Sequence, residues 1–382
     1  MKKKEIPLLR LNYSKIDRKN ISKGITEILN SGYLMMSKKV FQFEKLFAKY
    51  IGTKYAVAVN SGTSALEIPL RALNVEGKSI IVPTNTFMAT PLAAISAGAK
   101  VIFADTSEKT LSIQAEEIEK KITKDTAGII LVHIGGIISH EWSKIKEICA
   151  QKKIFILEDA AHAHGSRIYN KNAGNLGVAG AFSFYPTKVL TTGEGGMITT
   201  NDKKLYKKFL ILRDHGKKNP LFNIHTELGS NWRLSEIQGL LGILQVKKAK
   251  NIINERIKIA SMYDKILKNT PNLRLVEIPS YIKSSYYKYI IFVNKNIRNK
   301  VKKIMYEKFG VSLPGEVYNH LCHSQPVFKK HKSKIIKRGD CNFKNAKKIA
   351  SEQLCLPLYP GLKKSEIQYV ADSLKKTLKK LI

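Results

Sequence analysis

Three short stretches carry side chains whose chemistry fits together. Lys188 closes the run Phe182-Ser183-Phe184-Tyr185-Pro186-Thr187-Lys188 and is followed by Thr191-Thr192-Gly193-Glu194-Gly195-Gly196. In a chain with 66 Lys and Arg residues any single lysine is by default a surface group. Here an apolar strand ending in Ser183 precedes it and a glycine turn follows, an arrangement that lets backbone approach a ligand closely. A lysine desolvated near other cations can form a Schiff base at neutral pH. Asp159 follows four apolar residues and Glu158, which places its carboxylate at the floor of a cleft. A buried carboxylate needs a partner. A protonated ring nitrogen would be one, and a helix N-cap is the ordinary alternative. The turn Ser61-Gly62-Thr63 combines hydroxyls, a glycine and a helix start, which offer N–H groups and a positive dipole end to a phosphate. By itself that turn is no more than a cap.

These residues need a scaffold that brings them to one edge. Over residues 54–200, short apolar or β-branched runs alternate with helix-length segments, the pattern of a parallel sheet with crossover helices. The predicted strands are 55–59, 79–82, 100–104, 128–133, 154–158, 180–184 and 196–199. Their continuous apolar character fits strands covered on both faces, and ligands of such sheets sit beyond the carboxyl ends of the strands. The Ser61 turn, Asp159 and Lys188 each follow a strand. A long helix over 233–267, a strand over 287–293 and a helix from Lys364 describe a smaller α+β unit. The expected organisation is a large α/β domain with a mainly parallel seven-stranded sheet over residues 1–250 and a small domain over 251–382.

Composition narrows the function classes. With 382 residues, 43% hydrophobic and 25% charged, the chain is an ordinary globular protein with room for a buried site. Its cysteines, Cys149, Cys322, Cys341 and Cys355, show neither a CxxC pair nor ligand-like spacing to histidines, so no metal is expected. The longest apolar run, 128–138, falls short of the roughly 20 residues that span a bilayer. The lysine-rich start has no apolar segment behind it, and a cytoplasmic location is expected. The formal charge of +36 admits a nucleic-acid or anionic partner. The lysines are spread in short pairs such as Lys247-Lys248 and Lys379-Lys380, which fits a solvated surface better than a binding arm.

The motifs NSGTSAL (60–66), EDAAHAHG (158–165), FSFYPTK (182–188) and TTGEGG (191–196) occur in this order. In that combination the chain resembles the DegT/DnrJ/EryC1/StrS family of sugar aminotransferases, within the type I, aspartate-aminotransferase-like fold, from about Ile6 to the C-terminal helix. The resemblance implies pyridoxal 5'-phosphate as cofactor, an electron sink when its ring nitrogen is held protonated. It implies that Lys188 binds the cofactor covalently and then shuttles a proton. It implies that Asp159 partners the pyridine nitrogen, that Gly62, Thr63 and Ser183 bind the phosphate, and that Phe87 stacks on the ring. His162 stands where the family often has glutamine near the cofactor's phenolic oxygen, and its donation there depends on tautomer. Asn231 matches an asparagine that reaches the neighbouring subunit's cofactor, implying a homodimer with composite sites.

Two features depart from the family. Many relatives read His-x-Tyr-Gly where this chain has His133-Ile134-Gly135-Gly136, and the stretch Gly315–His323 keeps histidines near an expected substrate loop, with His323 the candidate substrate contact. The implied reaction is transfer of an amino group, from L-glutamate, to a keto carbon of a nucleotide-linked sugar, for polysaccharide, glycan or amino-sugar synthesis. A dehydratase of the same family is the alternative enzyme, though such relatives carry histidine where Lys188 stands. A DNA-binding regulator is a further alternative, without a helix-turn-helix or basic arm to support it.

Overall fold

Runs of about five residues that are apolar on both faces are too short for buried helices and pair as strands. The computed structural model describes residues 5–11, 13–219, 222–313 and 315–381. In chain order its first strands are β1 (Tyr55–Val59), β2 (Ser79–Pro83), β3 (Lys100–Ala104), β4 (Thr126–Val132) and β5 (Phe155–Asp159). The two-residue strands β6 (Arg167–Ile168) and β7 (Lys171–Asn172), then β8 (Ala179–Ser183) and β9 (Gly196–Thr200), follow. The main sheet has seven strands in the order β1-β9-β8-β5-β4-β2-β3. β9 departs from the parallel pattern, pairing antiparallel with both β1 and β8. Residues 184–195 contain no helix that could carry the chain back across the sheet for a parallel return.

The register sets the site. Asp159 lies opposite Val132 and Ala181, and Gly196 lies opposite both Val59 and Ser183. The carboxyl ends of β1, β5 and β8 therefore meet the start of β9 on one edge. Alternation along β8 explains its Phe-Ser-Phe pattern. Phe182 and Phe184 turn into an aromatic cluster with Phe43 and Phe47, ring centroids 4.9–5.4 Å apart, while Ser183 turns the other way.

A smaller body is built from β10 (Leu273–Leu275), β12 (Tyr289–Val293) and β13 (Gln353–Leu356), an antiparallel sheet. The short strand β11 (Ile282–Lys283) instead joins β6 and β7. The helices Lys295–Phe309 and Lys364–Leu381 contribute Val301, Met305, Val370 and Leu374 to this second core. One helix, Glu236–Leu267, serves both cores: Ile243, Ala249 and Ile253 pack in the larger, Ile259, Ala260, Tyr263 and Leu267 in the smaller. Packing changes over between Ile253 and Ile259, inside an unbroken helix. The helix begins at Glu236 rather than Arg233 because Ser235 and Gln238 form a capping box. Its Glu236 carboxylate also accepts the N–H groups of Ser37, Lys39 and Val40 at 2.8–3.0 Å, holding the start of the helix Lys38–Ile51.

That helix brings Glu44 against β1, where it accepts the Ala58 N–H at 2.9 Å and pairs with Arg213. Arg213 is 1% exposed and also donates to the Ala58 carbonyl. Removing one partner of a buried pair strands the other charge. Arg213→Ala is expected to lower stability by about 3–5 kcal/mol in urea denaturation, whereas removal of the exposed Lys120, paired with Glu116 on the surface, leaves the midpoint nearly unchanged.

Among the described residues no helix is long and apolar enough to cross a membrane, and no cluster of three or more His, Cys, Asp or Glu side chains could hold a metal ion.

Candidate active site

The edge of the main sheet opens into a cavity of about 360 Å³. Gly62, Thr63, Phe87, Asp159, His162, Ser183 and Lys188, all marked from the sequence, line it, together with Thr86, Thr187, Glu194, Tyr287 and Tyr318.

Asp159 ends β5 beside a second carboxylate, and the alternation of a strand gives the two different duties. Glu158 is fully buried and accepts from four donors: His133 Nε2 at 2.9 Å and the N–H groups of Gly174, Leu176 and Gly177 at 2.6–2.8 Å. Asp159 faces the cavity instead. Its Oδ2 accepts from the Thr90 hydroxyl at 2.7 Å and its Oδ1 from the Ala161 N–H at 3.2 Å. Thr90, having given its hydrogen to Asp159, takes one from Thr86 at 2.8 Å. A carboxylate offers about four acceptor positions, so Asp159 is fixed in place with capacity for one more donor from the cavity.

Lys188 is held by a turn in which its N–H donates to the Tyr185 carbonyl at 2.9 Å. Its Nζ sits 4.9 Å from the centroid of the Tyr287 ring, and Tyr287 is fixed in turn by a 3.1 Å hydrogen bond between its hydroxyl and that of Thr187. Burial pulls the Lys188 ammonium down to about 8, Asp159 working against the shift and the nearby Lys288 adding to it. A substantial fraction is therefore free amine at mildly alkaline pH, the form that attacks carbonyls and accepts protons.

On the β1 side the chain turns at Ser61, whose hydroxyl accepts the Ser64 N–H at 3.1 Å and caps the helix Gly62–Ala72. A Cβ on Gly62 would lie 2.6 Å from the Cβ of Ser183, so only glycine lets this helix start against β8. The N–H groups of Gly62 and Thr63, which have no acceptor among the described residues, thus stand beside the Ser183 hydroxyl. Such a group suits a phosphate. A low-basicity lysine, an unfilled carboxylate and an anion cradle in one cavity fit the three reactive parts of pyridoxal phosphate: carbonyl, ring nitrogen and phosphate.

The remaining sequence candidates separate. Phe87 stands at the mouth, 59% exposed, its ring 5.7 Å from that of Tyr318. His162 is buried with both ring nitrogens engaged inside the chain, Nδ1 by the Gly135 N–H at 3.2 Å and Nε2 by the Tyr318 hydroxyl at 3.1 Å. Burial first, then Lys188 and Lys288, holds this imidazole well below its ordinary pKa and therefore neutral. Gly135, which replaces the family's tyrosine, has φ 65° and owes its place to the amide it presents to His162. Asn231 does not line this cavity: its carbonyl accepts from Asn60 at 3.1 Å and its side chain is exposed. His323 does not line it either. Its Nδ1 bonds the Thr84 hydroxyl at 2.6 Å and its ring packs 4.3 Å from Phe343, and Tyr318 is the member of the 315–323 stretch that lines the cavity.

Thr86, Thr90, Tyr287 and Tyr318 escaped the sequence reading. Only the threonines left a signal, a four-residue spacing around the start of the helix Ala89–Ser96.

The profile of the DegT/DnrJ/EryC1/StrS aminotransferase family matches residues 15–375. The chain is 31% identical to the UDP-4-amino-4,6-dideoxy-N-acetyl-beta-L-altrosamine transaminase of Campylobacter jejuni, covering 98% of both chains. It is 30% identical to the GDP-perosamine synthase of Escherichia coli O157:H7, covering 92% of this chain and 93% of that one. Among solved structures, NtdA of Bacillus subtilis with bound cofactor PMP superposes with a TM-score of 0.89 at 27% identity, over 98% of this chain and 85% of that one.

Proposed function

The chain belongs to the DegT/DnrJ/EryC1/StrS aminotransferase family, and from that membership we propose that it moves an amino group from L-glutamate to a keto carbon of a nucleotide-linked sugar. It does so with pyridoxal phosphate, in the cytoplasm, as a step toward a polysaccharide, glycan or other amino-sugar product. The observation that carries the reading is Lys188, brought down to about 8, in one cavity with the partly filled carboxylate of Asp159.

Pyridoxal phosphate supplies an electron sink for the pair left when a C–H proton is removed. The chain supplies the rest. Lys188 would hold the cofactor at its carbonyl and would carry the proton at its Nζ, with the Tyr287 ring holding the amine in place. Asp159 keeps the ring nitrogen protonated, and the Thr86–Thr90 relay stops the carboxylate from rotating away. Gly62, Thr63 and Ser183 would take the phosphate, and Phe87, at the mouth, would cover the ring.

The same reading includes a homodimer in which Asn231 serves the partner's site. Its support is a group of exposed large apolar side chains: Phe222, Ile224 and Leu228 are 60%, 66% and 87% exposed just before Asn231, and Tyr33, Leu34 and Met35 are exposed beside the start of the Glu236 helix.

An absorbance titration tests the proposal. The protein loaded with pyridoxal phosphate is expected to show a visible band that bleaches with L-glutamate and returns on adding a UDP-, GDP- or dTDP-linked keto-sugar. A band indifferent to every amino donor would overturn the transfer reaction, and failure to take up the cofactor would overturn the site.

A further inference from the structure

The hydrogen bonds around His162 have a direction that the backbone imposes. An amide N–H can only donate, so the 3.2 Å contact from Gly135 makes His162 Nδ1 an acceptor. The ring is neutral, because it is buried and faces two lysines. Its single hydrogen therefore sits on Nε2 and is donated to the Tyr318 oxygen 3.1 Å away. Once its oxygen is an acceptor, the Tyr318 hydroxyl hydrogen is free for the cavity, and among the described residues it has no other protein acceptor. Burial, then Tyr287, Asp159, Cys322 and Cys355, pushes this phenol well above its ordinary pKa, so the hydrogen stays in place.

We infer, building on the proposed cofactor site, that Tyr318 is the group that donates a hydrogen bond to the ring oxygen of bound pyridoxal phosphate. His162, read from sequence beside that oxygen, acts through Tyr318 as a positioning residue, setting which way the hydroxyl points. The division of the other cavity groups is consistent with this pairing. The phosphate has Gly62, Thr63 and Ser183, the ring nitrogen has Asp159 and the carbonyl has Lys188, which leaves the ring oxygen unserved. Of the other donors lining the cavity, the Thr86 hydroxyl is committed to Thr90, the Thr187 and Tyr287 hydroxyls spend one of their two hydrogens on each other, and Tyr185 is half-exposed at its rim. The Tyr318 ring is well placed for a fixed role. Its N–H donates to Asn85 at 3.0 Å, its carbonyl accepts from Gln353 at 3.1 Å, and its ring neighbours both Phe87 and His162.

Two measurements test this. In cofactor-free protein, the ¹⁵N shifts of His162 are expected to report an unprotonated Nδ1 and a protonated Nε2; the opposite tautomer would overturn the inference, since Tyr318 would then have to donate inward to His162. In loaded protein without substrate, a hydrogen bond to the ring oxygen favours its anionic form. Tyr318→Phe, which keeps the ring, is therefore expected to raise the pH midpoint of the cofactor's visible band by about one pH unit. His162→Leu is expected to move it the same way by less, and His162→Gln, whose amide can still donate, to restore it. An unchanged midpoint in Tyr318→Phe, with an altered affinity for L-glutamate instead, would overturn the inference by assigning the hydroxyl to the substrate carboxylate. The two failures are distinct: a wild-type protein that shows no band sinks the site reading and this inference with it, whereas a normal wild-type titration matched by Tyr318→Phe sinks this inference alone.

Discussion

Lys188→Ala is expected to lower turnover by about 10⁴-fold or more, because it removes the attacking amine and the proton carrier together. Among the described residues no other lysine lines the cavity: Lys288 packs over the Tyr287 ring but is not part of the lining. The His162 ring is neutral with both nitrogens engaged, and burial pushes the Tyr287 and Tyr318 phenols upward, away from useful basicity. Steady-state turnover and the loss of a lysine-linked absorbance band would show it, and retained turnover would remove Lys188 from the centre of the mechanism. The fold should survive, since Lys188 Nζ makes no hydrogen bond or ion pair among the described residues. Stability against pH supplies a second signature. The folded Lys188 titrates near 8 and its ordinary value is 10.5. Between these the unfolded chain binds a proton that the folded chain does not, so wild-type stability gains from this group as pH rises from 8 to 10.5. In Lys188→Ala that gain is expected to vanish, and the rate at which cofactor-free wild type captures pyridoxal phosphate is expected to climb through pH 8.

Asp159→Asn is the second large effect, a fall in turnover of about 10³-fold. The amide keeps the shape and can still accept from Thr90, but it cannot hold a proton on a ring nitrogen by charge. The substitution has a further consequence at Lys188. Asp159 is the group that opposes the downward shift of that lysine, so its loss is expected to move the lysine's titration lower still, and the pH dependence of cofactor capture should shift downward with it. Turnover close to wild type would mean that the cofactor's ring nitrogen is partnered elsewhere. A fall in turnover with an unmoved lysine titration would mean that the two groups are less strongly coupled than their places in one cavity imply.

The sequence revealed much of this site because the chemistry and the strand pattern coincide. Apolar runs such as Ile154–Leu157 announce buried strands, and a polar residue at the end of such a run has little choice but the cleft, which is how Asp159, Ser183 and the Gly62 turn were legible. The division of labour between Glu158 and Asp159 follows from alternation along β5, although the donors that satisfy Glu158 come from the 174–177 loop and could not be read. The antiparallel course of β9 was invisible because strand direction depends on the connection, not on the apolar pattern of the strand itself. Tyr287 and Tyr318 were missed for a related reason: each lies about a hundred residues or more beyond Lys188 and joins it only by packing on the larger core, which no local spacing signals. His323 lies between Thr84 and Phe343, and a histidine in a loop looks the same in sequence whether it meets a ligand or packs against its own chain.

The late arrival of those two tyrosines affects the order in which the chain is made. Synthesis runs from the N-terminus, and every strand of the main sheet, with Asp159 and Lys188, precedes Tyr287 and Tyr318. Until the final quarter of the chain emerges, Lys188 lacks the rings that close over it and remains a wetter, more basic ammonium. The surroundings that lower this lysine's pKa are therefore complete only after Tyr318 has been added.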